Sequence, residues 1–92
     1  MAEKFVELDG LGISRERQMQ IYATCRSYRE QRQEVRETIR ALCSDIGGGR
    51  YGRALFEFLT TEASYMAVVQ RHVVPEKVLA GMRRAFYARW PL

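Results

Sequence analysis

Pro75 divides the C-terminal third of this chain into two helices. Proline lacks an N–H and fits the first turn of a helix but breaks its interior, so the helical run ASYMAVVQRH cannot continue into PEKVLAGMRRAFYARW. In the first run Met66 and Val69 share a face with Tyr65; in the second, Leu79, Met82, Phe86 and Trp90 recur at steps of three, four and four. Each helix therefore has one apolar side. A connection of about three residues forces those sides together. The second helix also sets Lys77, Arg83, Arg84 and Arg89 against a single acid, Glu76.

A short helix, a tight turn and a basic helix with an apolar underside make up a helix-turn-helix, whose second helix enters the major groove of DNA. The run Val68-Val69-Gln70-Arg71-His72-Val73-Val74-Pro75-Glu76-Lys77-Val78-Leu79 resembles the helix-turn-helix core of bacterial regulators and of the promoter-reading C-terminal domain of sigma factors. Val74 and Leu79 match the aliphatic pair that locks the second helix in that pattern. Val73 stands where glycine is usual, Pro75 where a serine or threonine cap is usual, and Val69 where a smaller alanine is common. In size and layout the chain is also similar to small sigma-like activators of phages and conjugative elements. The resemblance implies a DNA-binding transcriptional regulator with double-stranded DNA as partner and no cofactor.

The remaining elements read as support. Tyr51 to Thr60 returns to a helical pattern with Leu55, Phe56 and Leu59 on its buried side and Phe58 near the edge, the third helix that such a reader needs to enclose a core. Ahead of it, Gly47-Gly48-Gly49 ends the preceding helix. Gly47, Gly49 and Gly52 satisfy the spacing of a dinucleotide fingerprint, but that motif follows a strand and here a helix precedes it, so the glycines read as a joint.

From Ser14, a good N-cap, to Ile46 the chain is helix-forming almost without interruption. Ile21, Cys25, Tyr28, Val35, Ile39, Leu42 and Ile46 trace a heptad seam, with Arg32 filling its one gap. One straight helix over residues 14–46 would be roughly 48 Å long at 1.5 Å per residue, longer than a domain of this size is wide. Two arrangements answer that. The helix pairs with a second copy as a coiled coil, forming a homodimer, or it breaks in the polar middle between Arg26 and Glu37 and folds back. The favoured expectation is an all-α chain: an arm over 1–13, a long helix over 14–46 used for self-association, and a three-helix helix-turn-helix domain over 47–92.

The distribution of charge agrees with a polyanion partner. Of the fifteen basic residues all but Lys4 and Lys77 are arginine, and the net +4 comes wholly from residues 47–92, where only Glu57, Glu62 and Glu76 oppose the cations. Arginine favours two-pronged contacts with phosphates and guanine edges. The groove-facing residues expected are Lys77, Ala80, Gly81 and Arg84, with Tyr87 also turned outward and with Arg83, Arg71 and Arg53 on phosphates. Cys25 and Cys43, 18 positions apart, read as small buried hydrophobes, and His72 as a cap on the last carbonyls of its helix. With no nucleophile–base constellation or metal-ligand spacing, the expectation is a non-enzymatic protein without metal or small-molecule substrate. No apolar run is long enough to cross a bilayer and no leader-like start is read, so a cytoplasmic location is expected. The competing reading is a helical protein-binding regulator or inhibitor from a mobile element, whose arginines grip an acidic protein partner.

Overall fold

A computed structural model describes residues 5–92 as four α-helices and a short 3₁₀ turn, with no strand among them. Helix α1 spans Arg15–Arg26, the 3₁₀ turn Tyr28–Glu30, α2 Gln33–Thr60, α3 Tyr65–His72 and α4 Glu76–Arg89. The all-α class expected from the sequence is what the chain adopts. Ser14 caps α1 by accepting from the Arg17 N–H at 3.1 Å, and Ser64 caps α3 by accepting from the Ala67 N–H at 3.1 Å. Pro75 precedes α4 as its extended N-cap residue.

The continuous helix expected over 14–46 is corrected. It breaks after Arg26, and the seam runs on only after Arg32, which sits extended (φ −63°, ψ 158°) as the N-cap residue of α2. The one seam position without an apolar side chain is thus the position from which the second helix starts. Ser27 ends α1, its hydroxyl donating to the Ala23 carbonyl at 2.8 Å and accepting from the Gln31 amide at 2.8 Å. The seam is consumed inside the chain. Ile21, Cys25, Val35, Ile39, Leu42 and Cys43 are all buried in one core with Leu55, Phe58, Leu59, Leu79 and Phe86. Tyr28 packs edge-on against Phe56 at 5.0 Å.

Helix α2 is itself folded. Its 28 residues would extend roughly 42 Å if straight. The longest dimension of the molecule is 30 Å. The bend is at Gly48, whose φ of 62° and ψ of −165° lie in a region open essentially to glycine alone. Beside it, the two halves approach so closely that a Cβ on Gly47 would meet the Gly52 backbone nitrogen at 2.6 Å. The glycine joint therefore turns the chain back on itself, and its fingerprint-like spacing serves a close backbone approach. Both α3 and α4 then pack chiefly against α2, as does α1.

Of the arm expected over 1–13, residues 1–4 lie outside the described part. The remainder is pinned by Gln18, a fully buried polar side chain on α1. Its carbonyl oxygen accepts from the Leu8 N–H at 2.8 Å, and its amide donates to the carbonyls of Leu8 at 3.0 Å and Ile13 at 3.1 Å. Gln18 lies on the seam, three residues before Ile21 and seven before Cys25, so the helical period turns it inward; what lets a polar side chain sit there is the arm's backbone, which needs partners once Leu8 enters the core. At the other end, Trp90 lies against Phe86 at 5.5 Å, and its carbonyl accepts from Arg17 at 3.4 Å.

The turn between α3 and α4 holds a strained residue. Val73 adopts the left-handed conformation (φ 52°, ψ 48°) that the resembling pattern reserves for glycine, while its side chain is 82% exposed. The N–H groups of Val73 and Val74 both reach the Val69 carbonyl, closing the helix end. A left-handed conformation costs a non-glycine residue about 1–2 kcal/mol, and glycine's extra unfolded-state entropy offsets about 0.5–1 of that. Val73→Gly is therefore expected to stabilise the chain by about 0.5–1 kcal/mol, read as a higher urea midpoint at unchanged slope. A lower midpoint would show that the Val73 methyls pack in a way their exposure conceals.

Candidate nucleic-acid interface

Helix α4 turns one side inward and leaves the other open. Leu79, Met82 and Phe86 are buried as expected, and Phe86 alone, with no exposed surface, contributes about 1.5–3 kcal/mol of burial. Tyr87 departs from the expectation that it faces outward. It is 4% exposed, and burial pushes its hydroxyl up to about 12. A step of one residue from Phe86 places it on the same inner arc, over Cys25 and Arg83. The outward side holds Lys77, Ala80, Gly81 and Arg84, the i, i+3, i+4 and i+7 positions of one helical face. Lys77 and Gly81 are exposed; Ala80 and Arg84 are half-buried, the Arg84 guanidinium lying beside Gly10 of the arm.

The seven residues expected to contact DNA thus separate into three groups. Lys77, Ala80, Gly81 and Arg84 come together on α4. Arg83 does not join them: its guanidinium lies over the Phe58 ring at 5.2 Å, facing the interior. Arg71 is exposed but already pairs with Glu57, whose other oxygen lies 2.8 Å from the His72 ring. Glu57 is the more buried partner of that pair, so it holds the Arg71 guanidinium toward α2 and away from a phosphate. His72 is therefore held by a carboxylate from α2, where the sequence suggested the carbonyls of its own helix. Arg53 is exposed and forms no ion pair among the described residues, in a groove lined with Arg40, Ser44, Glu57 and His72.

Nothing among the described residues requires Gly81 to be glycine. Its backbone is helical and a Cβ there would find nothing within 4 Å. Glycine costs about 1 kcal/mol in a helix interior relative to alanine. Gly47 and Gly52, by contrast, are required by the chain's own backbone.

Helices α3 and α4 are further tied at their starts, where the Tyr65 hydroxyl donates to the Glu76 carbonyl. On α3 the anchor is Val68, fully buried, with Tyr65 and Val69 half-buried beside it. Met66, expected on the apolar face, is exposed instead. The two cysteines are free and buried, and desolvation pushes both thiols up, Cys43 to about 12, so neither is a thiolate nucleophile near neutrality. No group of three or more potential metal ligands occurs among the described residues, and no helix among them is long and apolar enough to cross a membrane. Comparison with protein-family models, curated proteins and solved structures yields no match.

Proposed function

We propose that this chain binds double-stranded DNA without catalysis, as a transcriptional regulator acting in the cytoplasm, with α4 as the helix that enters the major groove. The observation that carries this reading is the open face of α4, where Lys77 and Arg84 flank Ala80 and a glycine that nothing among the described residues requires. A helix that must bring its backbone close to base edges benefits from small residues at the point of approach and cations on either side. The connection supports it too: an eight-residue helix, a turn of three residues closed by left-handed Val73, and a longer helix that is apolar beneath. The contact set proposed is narrower than the sequence suggests. Lys77, Ala80, Gly81 and Arg84 face the groove, Arg53 is retained as a phosphate contact, and Arg83 and Arg71 are given up to the protein's own interior and to Glu57.

Anisotropy titration of a labelled duplex at several salt concentrations tests this. Binding is expected to weaken linearly on a logarithmic scale, with a slope near −0.9 per phosphate contacted. Lys77→Ala and Arg84→Ala should each flatten that slope by about one contact, while Arg71→Ala leaves it unchanged. Absence of binding at low salt, or an affinity indifferent to salt, would overturn the proposal in favour of a protein partner.

A further inference from the structure

Beneath the arm, between α1 and α4, lies a cavity of about 20 Å³ whose lining includes Val6, Cys25, Arg26, Phe58, Arg83 and Tyr87. The two arginines come from different helices and each lies over an aromatic ring, Arg26 over Tyr22 at 5.0 Å and Arg83 over Phe58 at 5.2 Å. The Nε–H of each is buried and has no hydrogen-bond partner, and no ion pair among the described residues involves either side chain. Both side chains are half-buried overall, but a buried N–H left unpaired is costly, and here two occur in one small space. Both arginines also act electrostatically on Tyr87, which places the two positive charges around one point.

The polar side chains lining this point are Arg26, Arg83, Tyr22, Tyr87 and Cys25, which include two guanidinium groups and no carboxylate. Burial keeps the Tyr87 hydroxyl and the Cys25 thiol protonated near neutrality, so both add O–H and S–H to the two N–H groups. A guest that complements four donors and two positive charges is an acceptor carrying negative charge. The cavity exceeds the roughly 10–15 Å³ needed for one water, which suits a monatomic ion or a single carboxylate tip and is too small for a whole phosphate.

We propose that Arg26 and Arg83 form a binding site for one small monovalent anion, a chloride or the carboxylate end of an organic acid, with Val6 of the arm as its cover. Such a guest joins α1, α2, α4 and the arm at one point and neutralises two guanidinium groups that have no carboxylate partner among the described residues. The site is separate from the DNA-contacting face and does not depend on it; it accounts for the inward turn of Arg83, which that face leaves unexplained.

Thermal unfolding in matched sodium salts of chloride, bromide, acetate and fluoride tests the site. Chloride and bromide are expected to raise the midpoint over fluoride, which surrenders its hydration shell poorly, by roughly 5 °C. A shift in acetate equal to that in chloride assigns the carboxylate guest; a shift in the halides alone assigns a halide. Arg83→Met, which keeps an apolar stem on Phe58, should erase the difference between salts. Bromide-soaked crystals provide a second measurement should that variant not fold, with an anomalous peak expected within hydrogen-bond distance of both Nε atoms. A salt-specific shift that persists in Arg83→Met, or no bromine peak between the arginines together with no shift in acetate, overturns the site and leaves a water there.

Discussion

Gly47→Ala is expected to destabilise the chain by about 3 kcal/mol, on the order of 15 °C in the unfolding midpoint of a domain this size. The added methyl would lie 2.6 Å from the Gly52 nitrogen and 2.7 Å from its Cα, and backbone atoms cannot swing aside as the end of a long side chain can. The bend in α2 would have to open. Opening it separates the half that carries Val35, Ile39 and Leu42 from the half that carries Leu55, Phe58 and Leu59, and those residues share one core. Gly48→Ala should cost about 1–3 kcal/mol for a different reason, the strain of holding a side chain in a region that admits only glycine. Gly49 supplies the control. It has nothing within 4 Å of a new Cβ and an ordinary helical backbone, so Gly49→Ala is expected to be neutral or stabilising by about 0.5–1 kcal/mol. Chemical denaturation of the three variants checks the order. Equal losses at all three positions would show that helix propensity, and not the close approach at the bend, sets the requirement.

The same three glycines show how far the fold was legible beforehand. Local chemistry announced itself: the cap at Ser14, the start at Pro75 and the joint at Gly47 to Gly49 are each written in residue types with a distinctive backbone role. The break between α1 and α2 is not written that way. SYREQR contains no glycine or proline, and apart from Ser27, which ends α1, its residues are compatible with a helix. The signal was Arg32, the polar member of an otherwise apolar seam, which a coiled coil and a fold-back interpret differently. What decides between them is distant in sequence, since the seam has a core to join only once α2 has bent and brought Leu55, Phe58 and Phe86 beneath it.

The site was legible to the same extent and for the same reason. Helical spacing alone placed Lys77, Ala80, Gly81 and Arg84 on one face. It could not foresee that Glu57, fourteen positions before Arg71, would claim that arginine, or that a phenylalanine on α2 would draw Arg83 inward. Tyr87 was misplaced because the inner arc of α4 is wider than a single stripe: α2 lies against it on one side and α1 with the arm on the other. Charge counts locate a cationic half of the chain; which cations remain free is a tertiary matter.

Gly81→Leu is expected to lower affinity for duplex DNA on the order of 100-fold while leaving the fold intact. The two halves of that expectation come from separate observations, which is what gives the experiment its force. For the free chain, the position is exposed and open, so any good helix former should raise stability; Gly81→Ala in particular should gain up to about 1 kcal/mol in thermal or chemical unfolding. For the complex, a leucine between Ala80 and Arg84 would hold the helix axis away from base edges and cost several contacts at once, and a loss of about 2.8 kcal/mol already corresponds to a hundredfold. Alanine, one methyl larger than glycine, should fall between. A chain that grows more stable and binds less well across the series Gly, Ala, Leu has a glycine maintained for something outside itself. Should Gly81→Leu bind duplex DNA as tightly as the unaltered chain, this face of α4 does not touch DNA, and a different surface must carry any binding observed.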